Sequence, residues 1–236
     1  MPSRRRDAAS TGSAATAVPA GRCQPTLEEE ERLKLQGHTL IAGLDEAGRG
    51  CLAGPVVAAA AMLPLEEDCL RLFDGVRDSK QLSTSQRERL YTVIMERAVG
   101  VGVGVVSVEW IDRYNILRAT RLAMQQALAA LSLRPTYLLV DALKLPAVRL
   151  PQLALIKGDA RCLSIAAASI VAKVTRDRLM LALDEQYPGY GFARHKGYST
   201  AEHKRALAAL GPSPAHRRTF APVRVLLEAR QPSLNL

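Results

Sequence analysis

The chain has 236 residues, 48% of them apolar, and a mean hydropathy near zero, which supplies one generous domain with a buried core. Those values exclude a chain that is disordered or fibrous throughout. Thirty-two Lys and Arg against 23 Asp and Glu leave a net charge of +9, a balance that favours polyanionic partners and says little about fold.

No apolar stretch reaches the ~20 residues needed to cross a bilayer, so no membrane span is expected. Cys23, Cys51, Cys69 and Cys162 form no CxxC pair and no regular spacing, against a zinc knuckle or a disulfide framework. A reduced, cytoplasmic compartment is the expectation.

Residues 1–37 read as a tail without apolar periodicity, ending in a short charged helix over Glu28–Gln36. A core domain is expected over 38–187. Thr39–Leu44 forms its first strand, and Pro55–Met62, bounded by prolines 55 and 64, forms a buried second one. Their connection, Ala47 to Gly54, carries three glycines, where a backbone must turn or meet something closely. Ser83 with Gln86 is a capping-box pattern that opens a helix to Ala98. Val99–Val106 alternates valine and glycine as a third strand in close contact with a neighbour. Ser107 starts, and Tyr114–Leu131 carries, a long helix with Ile116, Met124, Ala127 and Leu131 near helical spacing.

Tyr137–Asp141 is a short strand ending in an acid, and Leu153–Ile156 is another strand. Ser164–Gln186 is an alanine-rich helix that must pack closely. Residues 188–236 form a basic helical region packed on the core, with a helix from Thr200. From Tyr190 to Leu236 eight Lys and Arg face two Glu, which suggests that this stretch, Arg217 and Arg218 included, tracks phosphates. Interleaved strands and helices predict an α/β domain, a mixed sheet flanked by helices with a helical C-terminal appendage.

Acids at strand ends carry the chemistry. Asp45 and Glu46 close the first strand, Asp141 closes Tyr137–Val140, and Asp159 follows Leu153–Ile156. Ligands gather at the carboxyl ends of strands in open α/β sheets. Four converging carboxylates repel one another, and two hard divalent cations, Mg2+ or Mn2+, resolve that conflict. Two such ions about 4 Å apart activate a water and stabilise a leaving oxygen on phosphorus. A lone strand-end aspartate is more often a turn or helix cap than a ligand, so the pattern alone leaves metal binding open. His38, His195, His203 and His216 show neither HxH nor HxxxH spacing, and zinc is not expected.

At Asp45-Glu46-Ala47-Gly48-Arg49-Gly50, with Leu52 to Val57, the chain resembles the opening signature of ribonuclease HII. The resemblance continues in Asp78-Ser79-Lys80-Gln81-Leu82, Tyr114 to Leu117, Val140-Asp141, Lys157-Gly158-Asp159, Ser164 to Asp177, His195 to Thr200 and His216 to Phe220, in the family's order. It implies a ribonuclease H-like endonuclease that cuts the RNA strand of RNA–DNA hybrids. It also implies cutting 5′ to ribonucleotides embedded in duplex DNA, leaving a 5′-phosphate and a 3′-hydroxyl.

The four metal-binding acids of that family match Asp45, Glu46, Asp141 and Asp159. Gly48-Arg49-Gly50 is similar to its loop that reads a 2′-hydroxyl through backbone groups. Tyr198 matches a tyrosine at the ribonucleotide–deoxyribonucleotide junction, and Lys80 matches a lysine at the substrate backbone. A monomer is expected. Asp177 stays open as an alternative fourth ligand, although Lys173 one turn earlier makes it equally an i,i+4 ion pair. Ala142 stands where the family usually has glycine, which matters if the turn needs φ > 0. Two rival readings remain. One is another polynucleotide nuclease of the same fold class, which would cut all-DNA substrates; the other is a non-catalytic nucleic-acid binder, which would show no metal-dependent cleavage.

Overall fold

The computed structural model describes residues 24–66 and 68–230. Residues 1–23 of the expected 1–37 tail, Cys23 among them, lie outside the described residues. Five strands form one mixed sheet in the order β3-β2-β1-β4-β5. These are β1 Ile41–Ala47, β2 Val56–Met62, β3 Gly100–Val106, β4 Tyr137–Asp141 and β5 Gln152–Leu155. β1, β2 and β3 pair antiparallel, whereas β1, β4 and β5 run parallel. This mixed sheet with helices is the α/β fold expected from the sequence.

Every residue of β2 is buried, because both sheet faces are covered. On one face, α6 (Leu163–Gln186) lays Ala166, Ala167, Ile170 and Val171 against Ala59 and Ala61, with α3 (Thr84–Arg97) behind it. On the other, α5 (Ile116–Ala129) packs Ala119, Ala123, Met124 and Ala127 on Ala58, Ala60 and Met62. A Cβ at Gly102 or Gly104 would strike the Ala127 or Ala123 carbonyl, so the glycines of β3 mark the close approach that the sequence suggested. The capping box at Ser83 is complete, with Gln86 N donating to Ser83 Oγ and Ser83 N donating to Gln86 Oε1.

Three expectations change. First, β1 runs on through Asp45, Glu46 and Ala47, since its antiparallel pairing with β2 outlasts its parallel pairing with β4. Second, the long helix expected through Tyr114–Leu131 is broken. α4 (Val108–Tyr114) ends at Asn115, whose φ of 71° leaves helical space and whose Oδ1 accepts from Arg118 N to cap α5.

Third, the ordered fold begins before residue 38. α1 (Glu28–Leu35) docks on the core through Leu33, and Thr26 bridges Cys162. The buried Glu30 accepts from Ser164 N at 2.9 Å and from the Cys162 thiol at 3.0 Å. α6 has no capping side chain of its own at Cys162, so a carboxylate from α1 satisfies its first turn and favours the positive end of its dipole. No periodicity within 24–37 shows a cap delivered across more than 130 residues.

The C-terminal stretch contributes α7 (Phe192–His195), α8 (Ala201–Leu210) and α9 (Ala221–Arg230). It is woven into the β1–β2 connection: Leu52 N donates to Gly197 O, Gly54 N to Ala215 O and Arg217 N to Leu52 O, each at 2.8 Å. Among the described residues, no helix is long and apolar enough to cross a membrane.

Candidate active site

The last parallel pair of β1 and β4 is Leu44 with Val140, so Asp45 and Asp141 emerge side by side one step further on. β5 pairs Leu155 with Asp141, and the chain then turns through Lys157 in the left-handed region to bring Asp159 to the same edge. Asp45, Glu46 and Asp141 line a pocket of about 250 Å³ together with Gly48, Arg49, Gly50, Lys80 and Tyr198. Asp159 is buried behind them and accepts from Lys80 Nζ at 3.2 Å. Eight of the nine site residues expected from the sequence therefore share one pocket, and the ninth touches its lysine. Asp177 goes elsewhere, paired with Lys173 at 2.7 Å and near Arg87 at 3.9 Å.

The carboxylates strain against each other. Burial, then the charges of Glu46 and Asp141, hold the Asp45 carboxyl well above the usual aspartate range. Burial also raises Glu46, although Arg49 opposes it at 3.5 Å. Asp141 is raised by burial and by Asp159, while Gly158 N, donating at 2.7 Å, pulls it back. Lys80 supplies the nearest counter-charge. Partial burial pulls its ammonium down, but Asp159, Asp78 and Asp45 together hold it above its ordinary value.

These donors suit a hard divalent cation. The acids and the two pocket serines, Ser79 and Ser169, offer only oxygen, and Glu46 Oε2 is buried without a hydrogen-bond partner among the described residues. Among the described residues no three acidic, histidine or cysteine side chains are already drawn into a metal cage. Lys80 takes up Asp159 and Gly158 takes up Asp141, so the carboxylates line the pocket without closing on one point.

The glycine loop is supported by two arginines that are fully buried yet have no carboxylate partner among the described residues. Arg176, on α6, donates to the carbonyls of Pro55, Ala53 and Lys196 at 2.8–2.9 Å. Arg217 donates to Gly48, Arg49, Gly54 and Pro55 at 2.7–3.2 Å. Burial, then Arg176, pushes the Arg217 guanidinium down to about 10, still cationic at neutral pH. The expectation that Arg217 tracks phosphates is thus wrong, because all of its donors point inward at backbone oxygens. Arg218 alone of that pair is exposed.

The two glycines around Arg49 differ as well. Gly48 has φ +90° and no room, since a Cβ there would run into the Arg176 guanidinium. Gly50 faces open space. Left-handed backbone recurs beside the other site residues, at Ala142 (φ 52°), Lys157 (φ 54°) and Lys196 (φ 51°), next to or two residues before Asp141, Asp159 and Tyr198. Ala142 takes the conformation in which glycine would be unstrained; its N–H donates to Leu155 O at 2.9 Å, which holds the turn despite the methyl group.

Tyr198 is 41% exposed, with Lys173 Nζ 5.5 Å from its ring centre and the buried Cys51 thiol beside its hydroxyl. Ser169, Lys173 and Arg176 were not singled out as site residues. Their spacing of four and three places them on one face of α6, a signal hidden because the surrounding alanines read as core. Ser169 bonds Ser79 at 2.9 Å and donates to Asp45.

Known proteins with this arrangement agree with one another. The family model described as Ribonuclease HII matches residues 42–223. The Ribonuclease HII of Chloroflexus aurantiacus is 60% identical over 200 residues, 84% of this chain and 94% of that protein. The solved ribonuclease H2 of Pyrococcus horikoshii OT3 superposes with a TM-score of 0.69 at 31% identity, over 80% of this chain and 98% of that one. Bst-RNase HIII in complex with Mn2+ shares the fold, with a TM-score of 0.65 at 23% identity over 80% of this chain and 70% of that one. This chain, matched across both its core and its C-terminal weave, belongs to the ribonuclease HII family of endoribonucleases.

Proposed function

We propose that this endoribonuclease hydrolyses the RNA strand of RNA–DNA hybrids and cuts 5′ to single ribonucleotides embedded in duplex DNA. The observation that carries the reading is the junction of two unlike surfaces in one pocket. A buried acidic edge lies beside a glycine loop whose Gly50 leaves room for a ribose to approach the backbone. The 2′-hydroxyl is what distinguishes RNA from DNA at a given position, and backbone groups reach it only where no side chain intervenes.

Asp45, Glu46, Asp141 and Asp159 would hold two divalent cations, Mg2+ or Mn2+. Such a pair, when bound, supplies an activated water and charge stabilisation at the leaving oxygen. The protein's own groups do the rest. Gly48-Arg49-Gly50 orients the ribonucleotide, held rigid by Arg217 through the Gly48 and Arg49 carbonyls. Tyr198 packs on the sugar beyond the scissile phosphate, its ring supplying an apolar face and its hydroxyl a polar tip. Lys80, 76% exposed on its side chain and tethered to Asp159, reaches the substrate phosphate while balancing the acids.

The test is cleavage of a duplex carrying one ribonucleotide, with and without Mg2+ or Mn2+, beside an all-deoxy duplex and a continuous hybrid. Metal-dependent cutting of the first and third, with products ending in 5′-phosphate and 3′-hydroxyl, is the expected result. Equal cutting of the all-deoxy duplex would reject the reading in favour of a general nuclease.

A further inference from the structure

Three of the four histidines, scattered at 195, 203 and 216, meet in a buried cluster around Phe192. The rings of His195 and His203 stack at 4.3 Å, and His203 Nε2 lies 3.0 Å from His216 Nε2. Two ring nitrogens facing each other at that distance require one proton between them.

The neighbours decide where every proton sits. Ser213 N–H can only donate, and it reaches His216 Nδ1 at 3.0 Å. His216 therefore carries its proton on Nε2 and donates it to His203 Nε2. His203 must then carry its own proton on Nδ1, which lies 2.9 Å from the Tyr198 carbonyl, a group that can only accept. The assignment closes without conflict from Ser213 to Tyr198, and it demands that both rings be neutral. His195 follows the same logic: Gly197 N–H donates to its Nδ1 at 3.2 Å, and its Nε2–H donates to Tyr190 O at 2.8 Å.

The charged pair at the edge of this cluster is Arg194 with Glu202, bonded to each other on the outside. Tyr190 packs against His216 from within. Burial, then His203, holds His216 down to about 4, and burial lowers His203 as well, in keeping with neutral rings.

We propose that His203, backed by His216 and Ser213, is a positioning residue for Tyr198: the neutral relay fixes the Tyr198 carbonyl and with it the ring at the mouth of the acidic pocket. The idea rests on the reading of Tyr198 as the residue that meets the ribonucleotide junction. It explains why a reading side chain that is itself partly exposed sits on backbone tied down at every polar atom. Tyr198 N donates to His195 O at 2.9 Å, and Tyr198 O accepts from Thr200 N at 2.8 Å besides His203. Two left-handed residues, Lys196 and Gly197, precede it and need such holding.

Two measurements on the full chain test the proposal. The first is the 15N NMR spectrum of the histidine rings at pH 7 in the wild-type protein, which depends on no assay. It should show His203 protonated on Nδ1 alone and His216 on Nε2 alone; an Nε2–H or cationic His203 overturns the relay. The second is steady-state cleavage of the single-ribonucleotide duplex by His203→Phe, His203→Asn and Tyr198→Ala, each confirmed folded by circular dichroism.

His203→Phe should lower kcat about tenfold with KM within about twofold, the size of effect expected from misplacing a group near the chemistry. His203→Asn keeps a donor near the Nδ1 position and should recover most of that loss. Adding His203→Phe to Tyr198→Ala should cost nothing further. If Tyr198→Ala is impaired but His203→Phe is not, the relay has no positioning role and the reading of Tyr198 stands. If Tyr198→Ala cleaves normally, the junction reading of Tyr198 is lost and this proposal with it, whatever the NMR pattern. Should His203→Phe fail to fold, the tautomer pattern and the Asn variant still decide, because Asn without recovery of kcat also overturns the proposal.

Discussion

The two halves of the active site treat buried charge in opposite ways. Under the glycine loop, two buried guanidiniums are each surrounded by backbone carbonyls, so desolvation is offset bond by bond. At the acidic edge, like charges face one another and Glu46 Oε2 has no partner among the described residues. One half is finished in the free protein; the other is completed by whatever positive charge arrives. The difference separates a rigid reading surface from a reactive one, and it can be broken from either side.

The largest effect belongs to the acidic edge. Asp45→Asn or Asp141→Asn should lower turnover at least about a thousandfold, an equivalent of about 4 kcal/mol, while the fold survives. Asp159→Asn should join them and Asp177→Asn should not, since Asp177 is outside the pocket lining and is held by Lys173 and Arg87. Full activity in purified Asp141→Asn would remove that residue from the site.

Next comes the finished half. Arg217→Met leaves the Gly48, Arg49 and Gly54 carbonyls without their charged donor, while Pro55 keeps Arg176, and should destabilise by about 3 kcal/mol or more, read from urea unfolding. Its exposed neighbour gives the control: Arg218→Ala should change stability by less than about 0.5 kcal/mol and act, if at all, on the salt dependence of substrate binding.

The glycines sharpen the same contrast within three residues. Gly48→Ala forces a methyl into the Arg176 guanidinium at φ +90° and should cost about 2 kcal/mol or more of stability. Gly50→Ala meets open space, so stability should move by less than about 0.5 kcal/mol while cutting of the single-ribonucleotide duplex falls. Equal activity of Gly50→Ala and wild type would mean that no ribose approaches there.

Smaller still is the pH dependence of the chelated protein. Asp45, Glu46 and Asp141 have folded pKa values raised above those of the unfolded chain. Between the ordinary carboxylate range and these raised values the folded state holds more protons, so stability falls as pH rises through that window and returns on acidification. Thermal melts in chelator should show this slope, and either Mn2+ or Asp45→Asn should flatten it. A small gain is expected from Ala142→Gly, which relieves a left-handed alanine and should stabilise by about 0.5–1 kcal/mol in the same melts.

Much of this was legible in the chain itself. The capping box at Ser83, the alternating β3 and the alanine-rich α6 follow from local periodicity and propensity, which act within a few residues. The acids at the strand ends were visible because strand ends are local features too. Tertiary structure alone decided the rest. It set Asp159 beside Lys80 and paired Asp177 with Lys173, although both acids fall in segments that resemble the family.

It also made internal braces of Arg176 and of Arg217, the latter expected to meet phosphates, through carbonyls 20 to 169 residues distant. It brought His195, His203 and His216 together where sequence spacing showed no pattern, and it recruited Glu30 to cap a helix that starts 133 residues later. The common reason is that a buried polar group is stable only when matched to partners, and those partners are supplied by whichever backbone the fold brings alongside. Spacing along the chain records the elements; the matching of buried charge to distant carbonyls is written only in their packing.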